Sequence, residues 1–198
     1  MKLHLVHGIH TATGDPAVQR LLPFLTGWDE VVYPDYGYIL AVETKRINPV
    51  IVGCLKPYIG PDDVMIGHSN GCAAIYDLLQ AGVKMKGVVF LNGALRQDVT
   101  LPDCVKFCHV YFNEGDDITE VAQAAARLGV SVDANWGQMG HAGYLGTDPR
   151  VENFNCGSVA TSPANLPLLD GHSDLFTPGK VEAWGPFVNA AARLAYLR

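Results

Sequence analysis

Short apolar, β-branched runs alternate with amphipathic stretches from the first residues of this chain almost to its last, and that alternation admits few folds. Strands separated by helical crossovers lie parallel in one sheet, with the helices packed on both of its faces. The expected strands span residues 2–7, 30–33, 63–67, 86–91, 105–112 and 130–135. Leu3, Leu5, Val88, Val89, Phe90, Val110 and Tyr111 supply the apolar content that strands covered on both sides require. The expected fold class is α/β, a three-layer α/β/α sandwich around a mostly parallel sheet of about six strands.

The intervening segments carry helix signals. Asp15-Pro16 reads as an N-cap followed by proline at the first helical position; Val18, Leu21, Leu22 and Leu25 then share a face, and Gly27 closes the element. Further helices are expected over residues 39–55, divided at Pro49, over 72–80, stopped by Gly82, over 119–128, and over 177–197, broken at Gly185-Pro186. Residues 136–173 are rich in Gly, Asn, Pro and Ser and lack sustained periodicity. So long a connection is more often functional than idle, and it is expected to form part of a binding-site wall.

With 198 residues, 48% hydrophobic and 17% charged, the chain suits one globular domain over 1–198. A net charge of −6 without a Lys/Arg run argues against nucleic acid as a partner. The N-terminus lacks the apolar core of a signal peptide, and no apolar run approaches transmembrane length, so the expectation is a cytoplasmic protein with no transmembrane segment. Cys54, Cys72, Cys104, Cys108 and Cys156 are an odd set without CxxC spacing, expected as reduced thiols rather than a disulfide scaffold or a zinc site.

Gly67-His68-Ser69-Asn70-Gly71 follows the apolar run Val64-Met65-Ile66 and precedes a helix signal. A Gly-x-Ser-x-Gly segment in that context places serine on a sharp strand-to-helix turn, where flanking glycines remove side chains that would collide. Ser69 is thus the candidate nucleophile. A serine hydroxyl needs a base, and the base needs a carboxylate to orient it. Asp116 is preferred as the acid because it sits in a turn after a strong strand, with Asp117 beside it as the alternative or as a helix cap. His172 is preferred as the base, since it falls late in the chain and completes the order Ser, Asp, His; His141, in a glycine-flanked loop, is its rival. His4 and His109 lie within expected strands and are read as structural, and His68 as shaping the turn. The backbone amides of Asn70 and of Ile9, the latter in the loop His7-Gly8-Ile9-His10, are the expected donors to a developing oxyanion. That loop lacks the Gly-x-x-x-x-Gly-Lys-Ser/Thr pattern of a phosphate cradle.

Together, His7-Gly8 after the first strand, the Ser69 pentapeptide, Asp116 after a later strand and His172 near the end resemble the α/β-hydrolase superfamily. The resemblance implies a sheet in the family order 4-3-5-6-7-8, with serine after strand 5, acid after strand 7 and histidine after strand 8. The first two family strands are missing, and the short connection over residues 94–104 leaves little room for a cap, which implies a minimal fold with an open site. The implied activity is hydrolysis of a carboxylic ester through an acyl-enzyme, with a small-molecule acyl substrate, no metal or organic cofactor, and a monomer or small homo-oligomer. Thioester, lipid or amide hydrolysis uses the same machinery, and a non-catalytic ligand-binding module is the alternative from another class.

Overall fold

The computed structural model describes residues 1–9, 17–34, 36, 43–117, 135–156 and 171–198. Within them, strands β1 (Lys2–Val6), β2 (Glu30–Val32), β3 (Val64–His68), β4 (Gly87–Leu91), β5 (Phe107–Phe112) and β6 (Val151–Asn155) form one sheet in the order β2-β1-β3-β4-β5-β6. Every neighbouring pair is parallel. The helices are α1 (Thr44–Leu55), α2 (Asn70–Gln80), the single turn α3 (Met139–Ala142) and α4 (Lys180–Leu197), with 3₁₀ segments at Ala17–Phe24, Lys56–Tyr58 and Asp174–Phe176.

The pleat explains why β3, β4 and β5 read as unbroken apolar runs. Met65, Val88, Phe90, Cys108 and Val110 enter one core cluster with Ile51 and Leu55 of α1 and the buried side of α2. Their alternates Val64, Ile66, Val89, Leu91, Phe107 and Tyr111 enter a second cluster with Val18 and Leu21 of the first 3₁₀ segment and Val181, Val188 and Ala192 of α4. Successive side chains therefore fill opposite layers, as a sheet sandwiched between helices requires. Each large apolar side chain so buried contributes about 1.5–3 kcal/mol.

Chain order fixes where a site can form. From β1 the chain moves to β2 on one side, then returns to β3 on the other. The direction of winding reverses at β1, and in open α/β sheets the crevice at such a switch point, outside the carboxyl ends of the strands, receives ligands. The loops after β1 and β3 meet there.

Several expectations need correction. The sixth strand is β6, inside the segment expected to be irregular; Asn135 belongs to a turn, and residues 130–134 lie outside the described residues. β6 is an edge strand whose residues are exposed or half-buried, so it carries only Val151 and Phe154 as apolar signals. The element expected from Pro16 is 3₁₀ and contains Pro23, while Asp15 and Pro16 lie outside the described residues. Helix α1 continues through Pro49, and α4 continues through Gly185-Pro186. Gly185 is a packing position rather than a stop: a Cβ there would lie 2.5 Å from the Phe24 ring. The helix expected over 119–128 lies outside the described residues. Residues 92–106, between β4 and β5, contain no helix. No helix among the described residues is long and apolar enough to cross a membrane.

At the opposite end of the sheet from the crevice, Asp63 ties the strand starts together. Its carboxylate accepts from the Gly60 and Lys2 amides at 2.8 and 3.0 Å and meets His4 Nε2 at 3.0 Å. Burial opposes its ionisation, but the Gly60 amide, His4 and the Lys2 amide outweigh it and hold the carboxyl below its ordinary range. A carboxylate with a depressed pKa stabilises the fold above its unfolded-state pKa and loses that contribution as pH falls through the folded value. Asp63→Asn is therefore expected to lower stability at pH 7 by about 1–3 kcal/mol and to flatten the acid limb of the stability profile below about pH 4, as read by urea unfolding across pH.

Candidate active site

Ser69 stands between β3 and α2 with φ 55° and ψ −127°, a backbone conformation a serine adopts only when its surroundings impose it. Those surroundings are close. A Cβ on Gly71 would lie 2.3 Å from the Val6 carbonyl oxygen, and one on Gly67 would lie 2.9 Å from the Cys72 amide nitrogen. The amides of Cys72 and Ala94 both donate to the Ser69 carbonyl at 3.1 Å, and the Ser69 amide donates to Leu91 O at 3.2 Å. The turn is thus bonded into the sheet at both of its peptide groups.

The side chains converge on it from distant segments. His172 Nε2 lies 2.8 Å from Ser69 Oγ. On the far side of the ring, Nδ1 lies 2.9 Å from both carboxylate oxygens of Asp116. A carboxylate can only accept, so Nδ1 carries the hydrogen, and in the Nδ1–H tautomer Nε2 can accept from the Ser69 hydroxyl. Asp116 is fully buried, and its amide donates to Asn113 O at 2.8 Å just after β5. Such a series can draw a proton from a serine hydroxyl and hold the resulting imidazolium against a fixed negative charge.

The rival residues fall elsewhere. Asp117 is exposed, and its amide donates to Gly115 O at 3.0 Å. His141 is in α3; among the described residues the histidine bonded to Ser69 is His172. His4 joins Asp63, His109 on β5 packs against Phe107 and against Phe154 of β6, and His10 lies outside the described residues. Gly8 brings the loop after β1 against the serine, since a Cβ there would lie 2.7 Å from Ser69 Cβ. His7, before it, stacks on Tyr36 at 3.8 Å, and the Tyr36 hydroxyl donates to the His7 carbonyl. Ile9, after it, is half-buried against the first core cluster.

The sequence did not announce the polar residues that hold this constellation. Asn70 is buried and pairs reciprocally with Asn48 of α1, its Nδ2 donating at 2.9 Å and its Oδ1 accepting at 3.2 Å. The Trp136 indole also donates to Asn70 Oδ1 at 2.8 Å, so helix α1 and the segment before α3 grip the residue following the serine. Asn92, after β4, faces Asp116 Oδ2 at 3.4 Å. Asparagines at strand ends are common in turns, and only the fold shows their partners. Nor do the cysteines enter: all five are free, and burial pushes the Cys72 thiol, one turn after Ser69, well above its ordinary range. Among the described residues, no three His, Cys, Asp or Glu side chains gather as a metal-binding group.

No protein-family model and no curated protein sequence matches the chain. Solved structures do. The mouse α/β-hydrolase domain-containing protein 10 superposes on 98% of this chain and 90% of its own with TM-score 0.57 and 8% identity. The esterase domain of a Rhodothermus marinus protein covers 98% of this chain and 86% of its own with TM-score 0.53 and 14% identity. The chain spans 43% of an extracellular α/β-hydrolase from a Paenibacillus species, which matches 50% of this chain at 23% identity and TM-score 0.39. This chain has the α/β-hydrolase fold. Its sheet order β2-β1-β3-β4-β5-β6 is the one the resemblance implied, with Ser69 after β3, Asp116 after β5 and His172 after β6.

In an α/β-hydrolase fold this small, the glycines around the serine separate into those that seat the turn and those that do not. Gly71→Ala is expected to cost about 2–4 kcal/mol, because its Cβ meets rigid backbone at 2.3 Å. Gly53→Ala, in α1 where a Cβ meets nothing within 4 Å, is expected to stabilise by about 0.4–1 kcal/mol. Denaturant unfolding of the two variants beside the parent checks both signs.

Proposed function

We propose that this protein is a serine hydrolase that cleaves carboxylic esters through an acyl-enzyme. The observation that carries the reading is the continuous hydrogen-bonded line from Ser69 Oγ through His172 to the buried Asp116, ending on a serine held at φ 55°. A ligand-binding role would not call for a strained nucleophile aligned with a base, and strain of this kind collects at reacting groups.

In the first half-reaction, His172 Nε2 takes the hydroxyl proton as Ser69 Oγ attacks the ester carbonyl carbon. The carbonyl π electrons move onto oxygen, and the resulting oxyanion accepts from the Asn70 and Ile9 amides, each donor contributing about 3–4 kcal/mol to the transition state. Collapse of the tetrahedral species expels the alcohol, which receives the proton from His172. Water then attacks the acyl-enzyme by the same route in reverse and releases the acid and Ser69. Asp116 holds the ring in the Nδ1–H tautomer and stabilises it while charged.

The esterase name of the Rhodothermus domain is consistent with an ester rather than an amide substrate. Absence of a helical insertion between β4 and β5 favours a small acyl substrate in an open crevice. We read residues 1–198 as one domain acting in the cytoplasm, where five free cysteines would stay reduced. Ser69→Ala is expected to abolish turnover of p-nitrophenyl acetate while leaving the far-UV circular dichroism unchanged. A fluorophosphonate probe is expected to label the parent stoichiometrically at Ser69. Undiminished turnover by Ser69→Ala, or labelling at another residue, overturns the assignment.

A further inference from the structure

Three neighbouring parallel strands each end in a polar residue, and all three turn toward the backbone of His172. His68 closes β3 and places Nε2 3.1 Å from the His172 carbonyl oxygen. Asn92 follows β4 and Asn113 follows β5; their Nδ2 atoms lie 3.4 and 3.3 Å from the Gly171 carbonyl oxygen. The two carbonyls flanking the His172 Cα thus face three side-chain donors from three strand ends. All three donor residues are buried, with exposures of 4% for His68, 1% for Asn92 and 3% for Asn113.

The donor assignments are fixed by the neighbours. A backbone carbonyl can only accept, so His68 Nε2 carries the hydrogen; its Nδ1 is buried with no partner among the described residues. Burial, reinforced by the nearby His172, pushes the His68 pKa down to about 3, so the ring is neutral wherever His172 works as a base. Asn113 Oδ1 accepts from the Gly115 amide at 2.9 Å, which orients its Nδ2 toward Gly171. Asn92 Nδ2 is shared between Gly171 O and Asp116 Oδ2, both at 3.4 Å, and so links the base's backbone to the acid's carboxylate.

The need for such a clamp follows from where His172 sits. It is on a loop, and Gly171 before it has φ 91° in a spot where a Cβ would lie 1.9 Å from Gly115 O. A glycine backbone restrains its neighbour least of all residues. Yet the imidazole must meet Ser69 and Asp116 together, and a misplacement of about 1 Å can cost about a hundredfold in rate.

We propose that His68, Asn92 and Asn113 are positioning residues that hold the Gly171 and His172 carbonyls, and through them the His172 imidazole, in line between Asp116 and Ser69. The proposal rests on the reading of Ser69 as nucleophile only for its kinetic consequence; the geometric consequence stands without it. His68 belongs to the clamp through its Nε2–H and not through its charge, so a neutral amide of similar reach should substitute for it.

The test compares His68→Leu, which removes the donor, with His68→Gln, which keeps one. In a Ser69→Ala background, proton NMR follows the far-downfield resonance of the His172 Nδ1 hydrogen bonded to Asp116. That resonance is expected to be sharp in the background protein and in its His68→Gln derivative, and broadened or lost in its His68→Leu derivative. In the active chain, His68→Leu is expected to lower kcat on p-nitrophenyl acetate by about tenfold to a hundredfold, with KM changed by less than about threefold and most of the rate regained in His68→Gln. A His68→Leu protein with a sharp parental resonance and parental kcat overturns the proposal. If His68→Leu does not fold, Asn92→Gly carries the same readouts, because φ 43° at Asn92 suits glycine and the side chain that reaches Gly171 O and Asp116 Oδ2 is removed. A parental resonance and parental kcat in that variant overturn the proposal equally. Lack of ester turnover in the parent would refute the functional reading alone, leaving the resonance to decide the clamp.

Discussion

The whole arrangement depends on how closely α2 can approach β1. Gly71 sits where a Cβ would come within 2.3 Å of the Val6 carbonyl oxygen and 2.7 Å of that of His7. That contact lets the helix start directly against the neighbouring strand, which forces the chain between β3 and α2 into the sharp turn that carries Ser69. The same closeness brings Gly8 against the serine, where a side chain would have struck Ser69 Cβ. Two missing side chains thus set the serine, the loop after β1 and the first amides of α2 into one crevice. Because the sheet changes its direction of winding at β1, this junction also lies at the carboxyl ends of the strands, where open α/β sheets form their ligand crevices.

What the glycines do for Ser69, polar strand ends do for Asp116 and His172. The upper ends of β3, β4 and β5 would be apolar if the core alone dictated them, since each strand is buried on both faces. Instead the chain places His68, Asn92 and Asn113 there. Burying such groups costs stability unless they find partners, and they find them in the backbone of residues 171 and 172. Asn70 repeats the pattern on the other side of Ser69, bonded to Asn48 and Trp136. Polar groups that would weaken a plain core here connect loops that are far apart in sequence.

Much of this was legible beforehand, for a physical reason. Strands β1, β3, β4 and β5 are buried on both faces and announce themselves as apolar runs. The Ser69 turn announces itself because only glycine fits beside it. Asp116 is legible from its turn after a strong strand, and His172 from its late position in the order Ser, Asp, His; in the fold His172 lies against both Ser69 and Asp116. The strand β6 was not legible: among the described residues one edge of its hydrogen-bonding ladder has no neighbour in the sheet, and Val151-Glu152-Asn153-Phe154-Asn155 carries no alternation. The continuity of α4 was hidden for a different reason. Gly185 signals a stop in sequence, whereas in the fold it is the point at which Phe24 approaches the helix axis. The asparagines were illegible because an asparagine after a strand looks the same whether it caps a turn or reaches a carbonyl 58 or 79 residues away.

Two imidazoles have ring centroids 5.1 Å apart beside Ser69, and their environments differ. His172 has a buried carboxylate on Nδ1, so a proton arriving at Nε2 is met by a compensating negative charge. His68 has an aromatic edge contact with Phe176, a carbonyl on Nε2 and nothing on Nδ1 among the described residues. A proton added to His68 would be buried without a counter-charge of its own and would repel the one on His172. Burial therefore keeps His68 neutral and makes it a fixed hydrogen-bond donor, while His172 has the Asp116 carboxylate against its Nδ1. The two rings differ in their electrostatic surroundings because one has Asp116 and the other has a carbonyl and the core.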